Sequence, residues 1–219
     1  MFSSANEIAR LLLQSNAIKL SPHKPFTWSS GLKSPIYCDN RITLSYPLIR
    51  SYIIENLCLQ AKKFSEVDVI AGVATAGIPN GTLVADKMQL PFIYVRSKAK
   101  EHGKQNLIEG YFKTAQKVIV IEDLISTGGS SMQAVRTLQA AGCEVIATLA
   151  TFTYGFNDAI ELFKNANIPL ITLTNLDILL EEAKAVSQLS ELEIKMIKKW
   201  RKNPELWSKQ HQPLINITN

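Results

Sequence analysis

Long apolar runs are absent. No segment of the 219-residue chain approaches the roughly 20 continuous apolar residues that a membrane-spanning helix requires. Cysteine is scarce: Cys38, Cys58 and Cys143 lie far apart, with no CxxC pair and an odd total, which argues against a disulfide framework or a zinc site. Reduced, mostly buried thiols are the expectation. The opening MFSSANEIARLLLQSNAI lacks the charged-then-apolar layout of a secretory leader, because an acid and an arginine fall inside an amphipathic pattern. A cytosolic protein is therefore expected. Internal repeats and low-complexity tracts are missing as well.

The chain is 46% hydrophobic and 20% charged, the composition of a globular protein with a full core, and its length suits one large domain. The formal charge of +5 is compatible with nucleic acid or with anionic small molecules as partners. Its distribution separates two clusters, RSKAKEHGK at 96–104 and KMIKKWRKNPELWSK at 195–209. The terminal cluster reads first as a solvated surface.

From residue 66 onward apolar, β-rich runs alternate with helical segments. Strands are expected at 67–73, 91–95, 117–122, 144–154 and 169–176, with helices at 78–88, from Ser126 to a stop at Gly142, and over NDAIELFKNAN. Continuous rather than alternating aliphatic runs indicate strands covered on both faces, and strand–helix alternation builds a parallel sheet flanked by helices. Ligands of such α/β folds bind beyond the carboxyl ends of the strands. The first 65 residues differ. Helices are expected at about Ser4–Gln14 and 46–61, and between them FTWSSGLKSPIYCDNR (26–41) reads as a small cap. The organisation is thus 1–65 as helices and cap, 66–176 as α/β core and 177–219 as a helical, amphipathic tail, one structural domain in all.

VIVIEDLISTGGSS (118–131) sets Glu122 and Asp123 directly behind four β-branched residues. Two charges at the end of a buried strand are costly without partners. A Walker loop would need Lys after the glycines, and a dinucleotide fold would need GxGxxG with its acid some 20 residues later. Neither pattern is present. Instead, the backbone and hydroxyls of Ser126, Thr127, Gly128, Gly129 and Ser130 can wrap a phosphate at a helix start, where the dipole is positive. The two acids then lie about a sugar's width away, suited to accept hydrogen bonds from vicinal hydroxyls. A ribose 5-phosphate clamp is the chemistry this order of residues supports, against the plainer reading of a Gly/Ser-rich helix cap beside a surface acid pair.

The same stretch resembles the phosphoribosyl diphosphate (PRPP) signature of the type I phosphoribosyltransferases, with wording most similar to the orotate-using members. The resemblance implies that fold, an α/β parallel sheet with an N-terminal hood and a helical tail, and it implies PRPP contacts from Glu122, Asp123, Leu124, Ile125 and Ser126 to Ser130. GVATAGIP (72–79) resembles the family's diphosphate loop, which assigns Ala74, Thr75, Ala76 and Gly77; an ordinary tight turn is the plainer alternative. YVRSKAKEHGK (94–104) resembles the mobile catalytic loop, so Arg96, Lys100 and His102 carry over as catalytic and PRPP-binding residues. Several cations between flexible glycines also make physical sense as a lid over a departing diphosphate. FTWSSGLKSPIYCDNR resembles the hood that covers the base, which puts Tyr37 and Cys38 beside the ring and aligns Ser126 with the hydroxyl contact to orotate.

The resemblance further implies transfer of the phosphoribosyl group from PRPP to orotate in pyrimidine biosynthesis. It implies Mg²⁺ carried mainly by PRPP oxygens rather than by protein side chains, and a homodimer whose lids reach into neighbouring sites. The chain departs from some members at Ala76, Ser97 and Ser29, where they have Lys, and at Tyr154, where they have Arg. Fewer fixed cations surround the substrates as a result, and Lys98 or Lys33 is left to compensate. Two other readings remain open. One is a phosphoribosyltransferase for another base. The other is a PRPP-sensing regulator using the basic tail, with Trp200 and Trp207, on nucleic acid; it is disfavoured because the first 65 residues hold no basic recognition helix. No membrane partner is expected.

Overall fold

A computed structural model describes residues 4–98 and 107–211. In chain order the elements are α1 (Ser4–Gln14), β1 (Ile18–Leu20), β2 (Phe26–Thr27), β3 (Lys33–Ser34), β4 (Ile36–Cys38), a 3-10 turn (Asn40–Ser45) and α2 (Pro47–Ala61). The core continues as β5 (Val69–Val73), α3 (Gly77–Met88), β6 (Phe92–Val95), β7 (Ile108–Glu109), β8 (Lys117–Ile125), α4 (Gly129–Ala140), β9 (Glu144–Thr153), α5 (Asn157–Asn165) and β10 (Leu170–Asn175). Three helices complete it: α6 (Leu176–Ala185), α7 (Glu191–Lys202) and α8 (Pro204–Gln210).

The central sheet has the order β10-β9-β8-β5-β6-β7, parallel throughout except for β7, which pairs antiparallel with β6. This agrees with the α/β sheet read from the aliphatic runs. The burial of β8 shows why those runs are continuous. Ile119 and Ile121 face the core layer built by α1, α2, α3 and the tail helices, while Val118 and Val120 face the layer under α4 and α5. From β5 the chain winds toward β6, and from β8 it winds the other way toward β9. The junction of β5 and β8 is therefore the topological switch point, where the loops leaving both strands diverge and a crevice opens.

Several details differ from the sequence-based expectation. The strand expected to end at Glu122 continues to Ile125, because β9 is long enough to pair with it throughout, Glu122 opposite Ala150 and Ile125 opposite Thr153. The next helix consequently begins at Gly129, not at Ser126. The polar stretch after residue 96 contains the short edge strand β7. The helices flanking the cap join the main core, where Ile8 and Leu12 of α1 and Ile53 and Leu57 of α2 are buried. Only the small hairpins β1–β4 and β2–β3 and the turn behind them form the hood.

The tail closes the hood from behind. Trp200 of α7 is fully buried and meets Trp28 at 5.7 Å and Tyr154 at 5.5 Å between ring centroids, both edge-on, while Trp28 stacks on Tyr154. Ser208 of α8 accepts a hydrogen bond from the backbone N–H of Lys33 at 2.8 Å. Aromatic clusters of this kind stabilise beyond their buried area. Trp200→Ala should lower unfolding stability by about 3–5 kcal/mol. Urea denaturation checks this, and a loss below about 1 kcal/mol would mean that the tail is only loosely attached.

Candidate active site

At the switch point Gly77, the first residue of α3, packs so closely that a β-carbon there would lie 2.4 Å from the carbonyl oxygen of Ile121 and 3.3 Å from Cα of Glu122. Only glycine fits, and this contact brings the loop Ala74–Ala76 alongside the acid pair. The Ala74–Thr75 peptide is cis. Ala74 donates its N–H to the Val95 carbonyl, and Ile78 donates to the Thr75 carbonyl. Thr75 is exposed and Ala76 half-buried at the mouth of this loop.

The two acids have different surroundings. Glu122 is buried: its Oε1 accepts the backbone N–H of Asp123 at 3.0 Å and its Oε2 accepts the Ser131 hydroxyl at 3.1 Å. Both oxygens are thus engaged, and the bond from Ser131 anchors α4 to β8. Asp123 is half-buried, and its backbone carbonyl accepts Nδ2 of Asn40, a buried residue of the hood, at 2.7 Å. Burial pushes the Glu122 carboxyl well above the usual carboxylate range, and the charge of Asp123 adds to this. Burial also raises Asp123, against hydrogen bonding from Glu122 and Leu124, which lowers it.

Beyond Ile125 the chain turns through Ser126 and Thr127 into Gly128, whose φ of +78° is left-handed and where a β-carbon would lie 3.1 Å from the Phe163 ring of α5. Gly128 caps α4 with no side-chain hydrogen bond, so the first N–H groups of α4, beginning at Gly129 and Ser130, face outward without intrahelical acceptors. Such a helix start accommodates an anion. Thr153 ties this turn to β9 by donating its hydroxyl to the Ile125 carbonyl at 3.0 Å.

Hood and turn together enclose a cleft of about 730 Å³. The hood lines it with Trp28, Ser29, Tyr37, Cys38 and Arg41; the sheet side contributes Leu124, Ser126, Thr127 and Tyr154. Burial raises the Cys38 thiol, and the nearby Asp123 charge adds to it; its Sγ lies 3.4 Å from Asn40 Oδ1. The structure therefore brings Tyr37, Cys38 and Ser126 together beside the acid pair. It places Arg96 at the edge of β6, its backbone N–H donating to Leu107 and its guanidinium 3.4 Å from Glu109. Lys100 and His102 lie outside the described residues. Ser29 and Tyr154 are both cleft walls, and Tyr154 is buried. Lys33 is directed to the Thr27 hydroxyl at 2.8 Å. Sequence reasoning missed Asn40 and Arg41. The signal was the polar triplet Asp-Asn-Arg directly after the β-rich Ile-Tyr-Cys, whose charges pass for surface.

Comparison with known proteins agrees with this geometry. Residues 52–159 match the family described as the phosphoribosyl transferase domain. An orotate phosphoribosyltransferase of Listeria innocua is 51% identical over 208 residues, covering 94% of this chain and all of the relative. One from Bacteroides thetaiotaomicron is 54% identical over 200 residues, covering 91% of this chain and 94% of the relative. The crystal structure of orotate phosphoribosyltransferase from Aeropyrum pernix superposes with a TM-score of 0.71 at 25% identity, covering 84% of this chain and 99% of that one.

The raised acids give a pH signature. A carboxyl with a folded pKa above its unfolded value favours folding when protonated; that contribution is complete below the unfolded value and is lost as pH rises through the folded one. The free protein should lose this stability progressively as pH rises above about 4. Asp123→Asn removes one of the two charges, so thermal melts should show a flatter pH dependence and no loss of stability at pH 7. PRPP binding by the same variant should weaken about 10- to 100-fold. A variant that melts lower at pH 7 yet binds PRPP normally would contradict the clamp.

Proposed function

The chain belongs to the orotate phosphoribosyltransferase family, and on that premise we propose that it transfers the 5-phosphoribosyl group of PRPP to orotate, giving orotidine 5′-monophosphate and diphosphate. The observation that carries this reading is the shared cleft: base-side residues Tyr37 and Cys38 and phosphate-side residues Ser126 and Thr127 face one cavity, with the acid pair at its side. In it, the 5-phosphate sits on the N–H groups and hydroxyls of Ser126 to Ser130. Asp123, the less committed acid, accepts hydrogen bonds from the ribose hydroxyls, with Glu122 behind it. Orotate lies under the hood, with the Ser126 hydroxyl at its polar edge.

A nitrogen of orotate forms the new bond to C1 of the ribose as the C1–oxygen bond to diphosphate breaks. Positive charge grows on the sugar and negative charge on the leaving group. The adjacent carboxylates suit the first. Cations suit the second, and here the reading assigns Lys100 and His102, with Arg96 at the base of the same segment and the turn Ala74 to Gly77 beside the leaving group. The attacking ring nitrogen gives up its proton as the bond forms, and the departing diphosphate is the base at hand to take it.

The donors at this end of β8 are carboxylate, hydroxyl and carbonyl oxygens, a set that fits a hard divalent ion such as Mg²⁺. When bound, mainly through the oxygens of PRPP, the ion neutralises part of the diphosphate charge. The reading also includes a homodimer with the segment around Lys100 shared between subunits, and a cytosolic setting consistent with three free cysteines. No helix among the described residues is long and apolar enough to cross a membrane.

Orotate absorbance should fall when PRPP and Mg²⁺ are added to the enzyme. Consumption of PRPP with uracil or a purine but not with orotate would transfer the assignment to another base. Lys100→Ala should reduce turnover about 10²- to 10³-fold. Mixing that variant with Asp123→Asn should restore part of the activity in heterodimers; no restoration would argue against shared sites.

A further inference from the structure

Arg41 is the one charged side chain among the described residues that line the base cleft. It is fixed there. Asp39 grips it on one edge, Nε to Oδ1 at 2.7 Å and Nη2 to Oδ2 at 2.9 Å, and the same Oδ1 accepts the Arg41 backbone N–H at 3.2 Å. Nη1 has no partner among the described residues, so a guanidinium held on one edge presents its other edge. The side chain is 60% exposed, which excludes a role in the core. Its charge reaches both halves of the site, Asp123 on the ribose side and Tyr37 on the base side.

The rest of the cleft makes such a cation necessary. Asp123 and Asp39 put two acids near its rim, and the remaining walls are aromatic, hydroxyl, thiol or aliphatic. Orotate differs from uracil by one carboxylate. An anionic base entering this cleft meets repulsion from the acids and gains nothing from Trp28 or Tyr154 that uracil would not also gain. Lys33 is turned to Thr27 and does not line the cavity. We propose that Arg41, pre-oriented by Asp39, is the specificity-determining residue that binds the carboxylate of the base and so selects orotate over neutral pyrimidines. This inference rests on the functional reading above. A planar guanidinium held from one side is suited to a carboxylate on the other, because charge-assisted N–H···O bonds are about twice as strong as neutral ones.

The test is steady-state kinetics of the full-length enzyme with Arg41→Gln and Arg41→Lys, using orotate and PRPP as substrates and uracil as a competing, carboxylate-free analogue. Arg41→Gln should raise the KM for orotate about 10- to 100-fold. The KM for PRPP should stay within about fivefold, the scale of an exposed charge–charge term with Asp123. Inhibition by uracil should not change. Arg41→Lys should recover part of the orotate affinity. An unchanged KM for orotate, a parallel rise for both substrates, or equal weakening of orotate and uracil would each overturn the assignment. A wild-type enzyme that leaves orotate untouched would instead remove the functional reading, and this inference with it.

Discussion

An acid buried on a central strand is the constraint on which the rest of this molecule depends. Glu122 lies in the middle of a hydrogen-bonded ladder and takes one bond from the next backbone N–H and one from Ser131. Meeting that demand pins the first turn of α4 against β8, which fixes where the outward N–H groups of that turn point. It also leaves the neighbouring Asp123 as the carboxylate with free capacity. The cost of the pair is carried by the surrounding frame: Gly77 against Ile121, Thr153 against Ile125, Asn40 against the Asp123 carbonyl. A binding site that must hold a polyhydroxylated anion is thus built on the least deformable part of the sheet.

Much of the fold was legible because a strand covered on both faces must be largely apolar, and β5, the first half of β8 and much of β9 are. The phosphate turn was legible because glycine at 128 and the hydroxyls around it have few other uses at a strand–helix junction. What was hidden depended on partners distant in sequence. That β8 runs on to Ile125 is decided by the length of β9, not by the residues Glu-Asp-Leu-Ile themselves. That α1 joins the core is decided by α6 and β10, which it packs against some 170 residues later. β7, two residues long, carries no periodicity to read. Asn40 and Arg41 were invisible as site residues because a short polar triplet looks like any exposed turn until the hood is folded over the sheet.

The basic balance of the chain resolves in the same way. Arg201 and Lys198 of α7 are drawn to Asp177, and Lys184 to Glu191, so part of the terminal charge braces the tail helices against each other. These are exposed pairs of small individual weight. Trp200 and Trp207, which the sequence alone could have given to a nucleic-acid surface, are buried instead, Trp200 under the hood and Trp207 stacked with His211.

The bond between Ser208 and Lys33 joins residues 175 positions apart, and the Trp28–Tyr154–Trp200 cluster spans nearly as much of the chain. Protein synthesis runs in one direction. The hood is made before β5 to β10, yet its back wall is made after them. A ribosome-bound chain can assemble β5 to β10 and the phosphate turn while the base cleft still lacks α7 and α8. Competence to select a base is therefore acquired only once α7 and α8 have emerged, after the sugar-phosphate half of the site already exists.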